Sequence, residues 1–481
     1  MNKTSSKSHL RRASRLVAAV AGMLAVVLIG AGCGSDSTSF AEGVRVDELK
    51  VRDIDVRVTD TSARIAWVTR VAQGSRVFYG LTTRLGTTAT GQTVTRQTTT
   101  VEGVAHEAEI TGLTANTLYY FQVEGRKTTL RFRTNGGART RLAFVSDRLG
   151  GRREVYLAHE YGENVTRVTT TGGWSPALSL DGTRLAWVGN RAGGGTDIFT
   201  ATLDANGLVA GSEANLTDTG DRDEAHPCWA VDNSAVVFAA GGGIVQRAVA
   251  DGAETVLVGG RYLYDQPAWR RDGGRLAFVS TRRTAIIQLK HRPVEAGSVS
   301  IRVRDDNNTV LADTLYELYD ATNGWLDLSG AGVGNLRVRV TYRSGGTTYT
   351  DEQHRSPTPR TVLYTMAPDG TDLRRLTDLE QSVAGPVWSV NGAQLFYSRE
   401  SSGQSVLMQI NADGSSVKAL TSGDYLDLDP VVAPDGSAIA FVTNRDTNRL
   451  VNLWLLPSGQ AMHALNLFSS GDTEPSWSVV P

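Results

Sequence analysis

The sequence predicts an all-β protein: an N-terminal β-sandwich followed by a six-bladed β-propeller that carries a small β insertion. Three observations predict this class. A hairpin-like segment recurs from the middle of the chain to its end, and the region before it contains short alternating strands. Glycine accounts for 51 of the 481 residues, which suits many tight turns. The repeat is the observation on which the rest of the prediction depends.

The clearest copy of the repeat starts at Pro267 and reads PAWRRDGGRLAFVSTR. A short apolar run with an aromatic residue leads into an Asp-Gly turn, where a positive φ is readily adopted, and a second apolar run follows. Related copies begin at Pro176, Pro227, Pro386, Pro430 and Pro475. The prolines are 40 to 51 residues apart, except for one interval of 119 residues. A hairpin with this period is typical of a propeller blade, because one small sheet cannot bury both of its faces.

The last copy ends after its first strand. A matching second strand occurs at the start of the repeat region, as RLAFVSDR from Arg141. A C-terminal strand that completes the N-terminal blade leaves no open sheet edge. Counted in this way, the propeller spans residues 141–481 and has six blades. The long interval then holds a β-rich insertion at residues 290–360, between the second and third strands of one blade.

The repeat resembles that of TolB-type β-propellers, which reads approximately PxWSPDGxxIAFxSxR, followed by an IYxxDxDG strand and a Leu-Thr pair. The second half is present as VLYTMAPDG before Leu376-Thr377 and as VLMQINADG before Leu420-Thr421. The resemblance implies a propeller and, by analogy, partners in the bacterial envelope such as peptidoglycan-associated lipoproteins. TolB proteins carry an α/β domain before the propeller, whereas this chain has a β-rich region there.

Residues 43–134 are predicted to form that separate β-sandwich, with residues 135–140 as a linker. The segments ARIAWVT and RVFYG alternate like half-buried strands. HEAEITGLTANTLYYFQV resembles the end of a fibronectin type III domain, which implies a core role for Trp67 and a tyrosine corner from Tyr119 or Tyr120. The same domain type precedes some purple acid phosphatases, but their metal-ligand motifs do not occur in this sequence. We expect a spacer, with a binding module as the alternative.

Residues 1–33 are predicted to be a targeting segment. A basic stretch precedes an uncharged apolar run, and small residues then lead into Cys33. This pattern resembles a bacterial lipoprotein signal, which implies that Cys33 is lipidated and that residues 34–42 are a flexible tether to the membrane. The alternative is an uncleaved membrane anchor, because the apolar run nearly spans a bilayer. Either interpretation predicts an exported protein of the bacterial cell envelope, periplasmic or at the cell surface.

The connections between blades are acidic, and the antiparallel strand order predicts that they share one face of the propeller, opposite the Asp-Gly turns. The candidate binding residues in them are Asp221, Asp223, Glu224, His226, Asp424, Asp427, Asp429, Asp472 and Glu474. One interpretation is an acidic funnel for a basic peptide or a cation. The other is a solvated face without a ligand.

The insertion is expected on the same face as the acidic connections. It carries Arg302, Arg304, Arg337 and Arg339 at alternating positions, so these side chains share faces of their strands. They form either a solvated outer surface or a docking surface.

No motif for catalysis stands out. The seven histidines do not form HExxH or another metal-ligand spacing, and the GxSxG motif is absent from the sequence. Cys228 follows a repeat proline and is expected to be a buried structural thiol. The net charge is −1, so no global field attracts nucleic acid. We expect neither a cofactor nor a metal.

These observations predict a non-enzymatic, envelope-tethered binding or scaffold protein that uses one propeller face for a protein or glycan partner. The alternative is an extracellular carbohydrate-active propeller, a hydrolase or lyase with its carboxylates in the acidic connections. A panel of polysaccharides separates the two, because only an enzyme releases new reducing ends or unsaturated products.

Overall fold

The computed structural model describes residues 51–70, 73–94, 103–148, 152–260, 262–282, 286–305, 307–312, 317–329, 335–355, 360–377, 381–401, 403–445, 452–459, 461–465 and 472–480. Within these residues the fold is all-β, as predicted. No helix in the described part of the chain is long and apolar enough to cross a membrane. Cys33, with the predicted targeting segment and tether, lies outside the described residues.

The N-terminal domain is a β-sandwich. Its strands are β1 (Val51–Val58), β2 (Ser62–Thr69), β3 (Arg76–Gly80), β4 (Thr87–Thr90), β5 (Gln92–Val94), β6 (Val104–Thr111), β7 (Leu118–Val123) and β8 (Leu130–Arg133). One sheet has the order β1-β2-β6-β5 and the other the order β4-β3-β7-β8. Trp67 is fully buried in the core. The Tyr119 hydroxyl accepts a hydrogen bond from the Thr114 amide at 3.0 Å, so the predicted tyrosine corner is confirmed.

Among the described residues, six antiparallel sheets form the propeller, and they are numbered here in chain order. Sheet 1 contains β9 (Thr140–Ser146), β10 (Glu154–His159) and β11 (Thr166–Arg167). Sheet 2 contains β12 (Trp174–Leu178), β13 (Arg184–Asn190), β14 (Thr196–Asp204), β15 (Gly207–Leu208) and β16 (Ala214–Asn215). Sheet 3 contains β17 (Glu224–Trp229), β18 (Ala235–Ala240), β19 (Gly243–Ala248) and β20 (Glu254–Val258). Sheet 4 begins with β21 (Tyr264–Trp269) and β22 (Leu276–Ser280).

The predicted β insertion interrupts sheet 4 between its second and third strands. It contains β23 (Ile286–Gln288), β24 (Ser300–Arg304), β25 (Glu317–Asp320), β26 (Trp325–Asp327), β27 (Leu336–Ser344) and β28 (Thr347–Arg355). These strands form two small sheets, β23-β26-β25 and β24-β27-β28. Side chains from both sheets share one apolar core, so the insertion has a core of its own.

The remaining strands complete the sheets of the propeller. Sheet 4 ends with β29 (Val362–Met366) and β30 (Arg374–Arg375). Sheet 5 contains β31 (Val383–Trp388), β32 (Gln394–Ser401), β33 (Gln404–Asn411) and β34 (Lys418–Ala419). Sheet 6 contains β35 (Asp427–Val432), β36 (Ala438–Thr443), β37 (Asn452–Pro457) and β38 (His463–Ala464). The last strand, β39 (Thr473–Val479), pairs with β9 and completes sheet 1.

The first strands of the sheets contact one another in a cycle, from β39 through β12, β17, β21, β31 and β35 back to β39. The repeat tryptophans reinforce these contacts. The indole of Trp229 donates to the Ala177 carbonyl at 3.0 Å, and that of Trp388 donates to the Ala268 carbonyl at 3.0 Å. Each of these two bonds joins one first strand to the first strand of the preceding sheet.

The N-terminal domain contacts the end of the propeller at which the Asp-Gly turns lie, here called the turn face. The Val58 amide donates to Asn164 Oδ1 at 2.9 Å, and the Asn164 amide donates to the Val56 carbonyl at 2.9 Å. Asn164 belongs to the loop between β10 and β11, which antiparallel order places on the turn face. The insertion leaves sheet 4 at the opposite end, here called the mouth face.

Candidate functional site

The first strand of every sheet contains the same β-bulge. Its pairing with the second strand shifts register around the residue that precedes the repeat proline. Proline cannot donate a ladder hydrogen bond, and it is therefore tolerated at a bulge of this kind. The six preceding residues, called the mouth residues here, all have a positive φ between 47° and 60°: Ser175, His226, Gln266, Gly385, Asp429 and Glu474. A bulge re-aims the side chain that it carries.

The mouth residues meet around the mouth-face end of the central axis. Ser175 Oγ donates to Glu474 Oε2 at 3.3 Å, and the Gly385 amide donates to Gln266 Oε1 at 2.8 Å. A Cβ atom on Gly385 would lie 3.4 Å from the Asp429 Cα. These contacts join neighbouring first strands. Because all six first strands contact one another in a cycle, the six positions form one ring, and all six are half-buried.

His226 is the cationic member of this ring. Its Nδ1 lies 2.7 Å from Asp265 Oδ1, and its side chain is 27% exposed. Burial opposes the charge on the imidazole, but the carboxylates of Asp265, Glu474 and Asp429 outweigh it and raise the pKa of His226 to about 9. Because sheets 3 and 6 stand opposite each other, the interaction between His226 and Asp429 acts across the axis.

Asp429 differs from its charged neighbours in the ring. Glu474 forms an ion pair with Arg153, and His226 forms one with Asp265. Among the described residues, the Asp429 carboxylate has no hydrogen-bond or ion-pair partner. Burial and the nearby Glu474 raise its pKa to about 6, against the opposing charges of His226 and Arg153. The ring therefore presents one half-buried carboxylate that no group of the described chain satisfies.

Three of the predicted acidic residues lie two positions before a mouth residue, and they are not part of the ring. Glu224, Asp427 and Asp472 are at most 1% exposed. Arg445 donates to Asp427 at 3.0 Å, and Arg148 donates to Asp472 at 3.1 Å. The expectation that they belong to an exposed acidic face is therefore wrong, because a buried carboxylate requires a partner.

Glu224 has a different set of partners from the other two. Arg222 donates to Glu224 Oε1 at 3.1 Å, and the hydroxyl of Thr219 also donates to that oxygen. Burial outweighs these interactions and raises the pKa of Glu224 to about 7. Its position below the surface separates it from the ring.

The remaining predicted residues are exposed on the connections. Asp223 accepts a hydrogen bond from the Thr196 amide at 3.1 Å, and Asp424 accepts one from Gln404 Nε2 at 2.9 Å. Asp221 is exposed as well. The nine predicted residues therefore fall into three groups: His226, Asp429 and Glu474 in the ring, three carboxylates in the interior, and three on the surface.

Three members of the ring, Ser175, Gln266 and Gly385, were not predicted from the sequence. Asp265, the partner of His226, was not predicted either. The repeat proline was the available signal. A proline at a fixed place in a strand indicates a bulge or an edge, and the residue before it is then the one that the bulge re-aims. Residue type gives no such signal, because serine, glutamine and glycine are common in solvated turns.

Two further observations concern metal binding and the reactivity of Cys228. No group of three or more His, Cys, Asp and Glu side chains among them is arranged to hold a metal ion. Cys228, expected to be buried, is half-buried, and desolvation raises the pKa of its thiol to about 12. At neutral pH this cysteine is therefore a thiol rather than a nucleophilic thiolate.

Residues 52–134 match the family described as Purple acid Phosphatase, N-terminal domain. The match coincides with the N-terminal β-sandwich. A curated relative, Uncharacterized protein Atu1656 of Agrobacterium fabrum, is 29% identical over 126 residues. The aligned part is 24% of this chain and 43% of that relative, so the match covers less than half of the relative's length.

Three solved structures are similar to about 70 to 75% of this chain. TolB from Acinetobacter baumannii is 15% identical with a TM-score of 0.44, covering 75% of this chain and 78% of that one. Putative TolB from Agrobacterium tumefaciens is 16% identical with a TM-score of 0.41, covering 72% and 99%. Oligogalacturonate lyase from Vibrio parahaemolyticus is 12% identical with a TM-score of 0.33, covering 69% and 85%. The propeller fold of this chain is established by its strand topology, and these likenesses add no functional argument.

Proposed function

We propose that this protein is a non-enzymatic binding protein whose mouth residues receive a cationic group from a partner. The observation that carries the proposal is Asp429, a half-buried carboxylate without a partner among the described residues. An ammonium or guanidinium group placed beside it would supply the missing partner and stabilise its charged form. The other charges of the ring are already paired, so a cationic ligand would gain the most binding free energy at Asp429.

The shape of the ring favours a narrow ligand. Six first strands converge on the mouth, and their bulges hold backbone and side chains in contact around it. A flexible segment with a lysine or arginine side chain would enter such an opening, whereas a flat protein surface would meet only the exposed connections. We propose a protein of the cell envelope as the partner, with a glycan as the alternative, and no cofactor.

The proposal includes the architecture and location of the protein. The six sheets are the six blades of a ring closed by β39. Residues 1–33 direct export, Cys33 carries the lipid, residues 34–42 form the tether, and the protein resides in the cell envelope. Because the N-terminal domain contacts the turn face, the mouth face would point away from the membrane and toward the partner.

A peptide pair tests the binding proposal. One short labelled peptide carries a central lysine, and the other carries norleucine, which has a similar apolar stem without the charge. The lysine peptide should bind more tightly to the wild-type protein, and Asp429→Asn should remove this preference. Asp424→Asn is the matched control, because Asp424 is exposed on the same face and should leave the preference unchanged. Equal binding of both peptides, or an equal effect of both variants, would contradict the proposal.

The enzymatic alternative requires catalytic carboxyl groups that reach a substrate. Glu224, Asp427 and Asp472 are buried in polar clusters, which supports the non-enzymatic proposal. Incubation with a panel of polysaccharides should therefore leave each of them intact. New reducing ends or unsaturated products that disappear in Asp429→Asn would favour the enzyme instead.

A further inference from the structure

The outer sheet of the insertion carries five arginines on one face. In β27, apolar residues such as Val338 and Val340 are buried in the core of the insertion, while the residues between them are exposed. The same alternation holds in β24, where Val303 is buried. The arginines on the outward side are Arg302, Arg304, Arg337, Arg339 and Arg343, called the arginine face here. The other side of this sheet packs on the β23-β26-β25 sheet.

The arginine face places like charges directly opposite each other. Arg302 pairs in register with Arg339, and Arg304 pairs with Arg337. Like charges at directly opposed positions destabilise a sheet, so this arrangement does not increase the stability of the insertion. Stability of the insertion therefore does not explain the array.

The carboxylates near the face do not neutralise it. Glu352 lies 3.3 Å from Arg339, and both side chains are about two-thirds exposed, at 67% and 64%. Glu295 lies 3.6 Å from Arg343, and it is 38% exposed. Ion pairs exposed to this degree contribute little. Arg302 and Arg337 have no ion-pair partner among the described side chains, so the face keeps a net positive charge.

We propose that the arginine face binds an acidic protein segment in an extended conformation, with carboxylates on alternate residues. Side chains two residues apart in a strand are about 6.4 to 6.8 Å apart, in the face and in an extended ligand alike. Successive carboxylates of the segment would therefore meet successive guanidinium groups of β24 or β27. The planar guanidinium donates two parallel hydrogen bonds to a carboxylate, which adds geometric selection to the attraction.

The other side chains of the face support a peptide over a nucleic acid strand. Besides the arginines, the described outward residues are Ser300, Thr341, Thr348, Thr350 and Glu352. No aromatic side chain lies among them to stack on bases, as single-stranded nucleic acid recognition requires. Serine and threonine hydroxyls instead suit polar contacts with a neighbouring backbone.

Two labelled peptides of equal composition test the proposal on the full-length protein. One alternates glutamate with threonine, and the other carries its glutamates in one block. The alternating peptide should bind more tightly, and its affinity should fall as salt rises, because exposed charges are screened beyond ~8–10 Å. Arg337→Glu with Arg339→Glu should weaken this binding by roughly tenfold or more. Arg374→Glu with Arg375→Glu, the same charge change on the outer strand β30, should leave it unchanged.

Every outcome bears on the proposal. Equal affinity for the two peptides, or an equal loss of affinity in the control variant, would show general charge attraction only. Either result would overturn the proposal. Binding of polygalacturonate without binding of either peptide would assign the face to an acidic polysaccharide instead. If the double reversal fails to fold, Arg302→Gln with Arg337→Gln provides the same test with a smaller charge change. Asp429→Asn should bind the acidic peptide normally. A failure of this proposal can therefore be distinguished from a failure of the proposal for the mouth residues.

Discussion

Asp427 and Asp429 lie two residues apart in one strand, yet they have opposite environments. Asp427 is fully buried, and it accepts hydrogen bonds from Arg445 and from the Thr443 hydroxyl. Asp429 has a φ of 47°, is half-buried, and has no partner among the described residues. The difference lies in the bulge that contains Asp429 rather than in residue type.

The same division recurs in two other first strands. Asp472 is buried against Arg148, whereas Glu474 lies in the ring beside Ser175. Glu224 is buried, whereas His226 lies in the ring. Position relative to the repeat proline therefore separates residues that hold the propeller together from residues that are available to a ligand.

The largest expected effect follows the removal of an arginine that pairs with a buried carboxylate. Arg445→Met leaves the Asp427 carboxylate buried without its charge partner, and this should lower the free energy of unfolding by about 3 to 5 kcal/mol. Urea unfolding monitored by tryptophan fluorescence measures the change. Arg375→Met, at an exposed position, should stay within about 0.5 kcal/mol of wild type. A small effect for both variants would show that the buried ion pair of Asp427 contributes no more to stability than an exposed charge does.

His226→Gln tests the paired charge in the ring through its pH dependence. The folded-state pKa of His226, about 9, lies above the ordinary histidine value of 6.5, so its stabilisation is fully present below pH 6.5 and is lost as the pH rises through 9. The variant should be less stable by about 1 to 2 kcal/mol at pH 6, after allowance for the partly solvated imidazole. It should approach wild type above pH 9. Parallel unfolding curves with a pH-independent difference would rule out the Asp265 pair as the cause.

Gly385 tests the backbone conformation of the ring. Its φ is 60°, a value that alanine adopts at a cost of about 1 kcal/mol. Gly385→Ala should therefore destabilise the propeller by about this amount, and Gly385→Asn by less, because asparagine tolerates the left-handed region. Thermal unfolding of the two variants gives the order. If alanine proves no worse than asparagine, the backbone does not constrain this position.

Asp429→Asn should give the smallest effect, with the opposite sign. Its folded-state pKa, about 6, lies above the ordinary aspartate value of 3.8, so the folded protein binds the proton more tightly and wild-type stability falls as the pH rises from about 4 to 6. The variant should match wild type at pH 4 and exceed it by less than about 1 kcal/mol at pH 7. A variant that is less stable than wild type at pH 7 would show that Asp429 has a stabilising partner.

The repeat was sufficient to predict the propeller. The Asp-Gly turns follow the expected geometry: Gly273 has a φ of 70°, and Asp272 accepts a hydrogen bond from the Gly274 amide at 2.9 Å. The N-terminal sandwich and the insertion were likewise visible, because alternating apolar residues mark strands at any position in the chain.

The division of the acidic residues was not visible in the sequence. In a regular strand, residues i and i+2 point to the same side, so alternation groups Asp427 with Asp429. The bulge breaks that rule, and it depends on pairing with a second strand. The partner of Asp427 is 18 residues away in sequence. Contacts of this kind follow from register and packing, which local residue patterns do not specify.

Titration of the Asp429 carboxyl group tests directly whether this carboxylate lacks a partner in the folded protein. Selective ¹³C labelling of aspartate carboxyl groups gives one NMR resonance per residue, and the resonance absent from Asp429→Asn identifies this group. We expect this group to titrate with a pKa of about 6, as a half-buried carboxylate that lacks a partner among the described residues should. A pKa at or below the ordinary aspartate value would contradict the account, because the carboxylate would then be already paired or fully solvated.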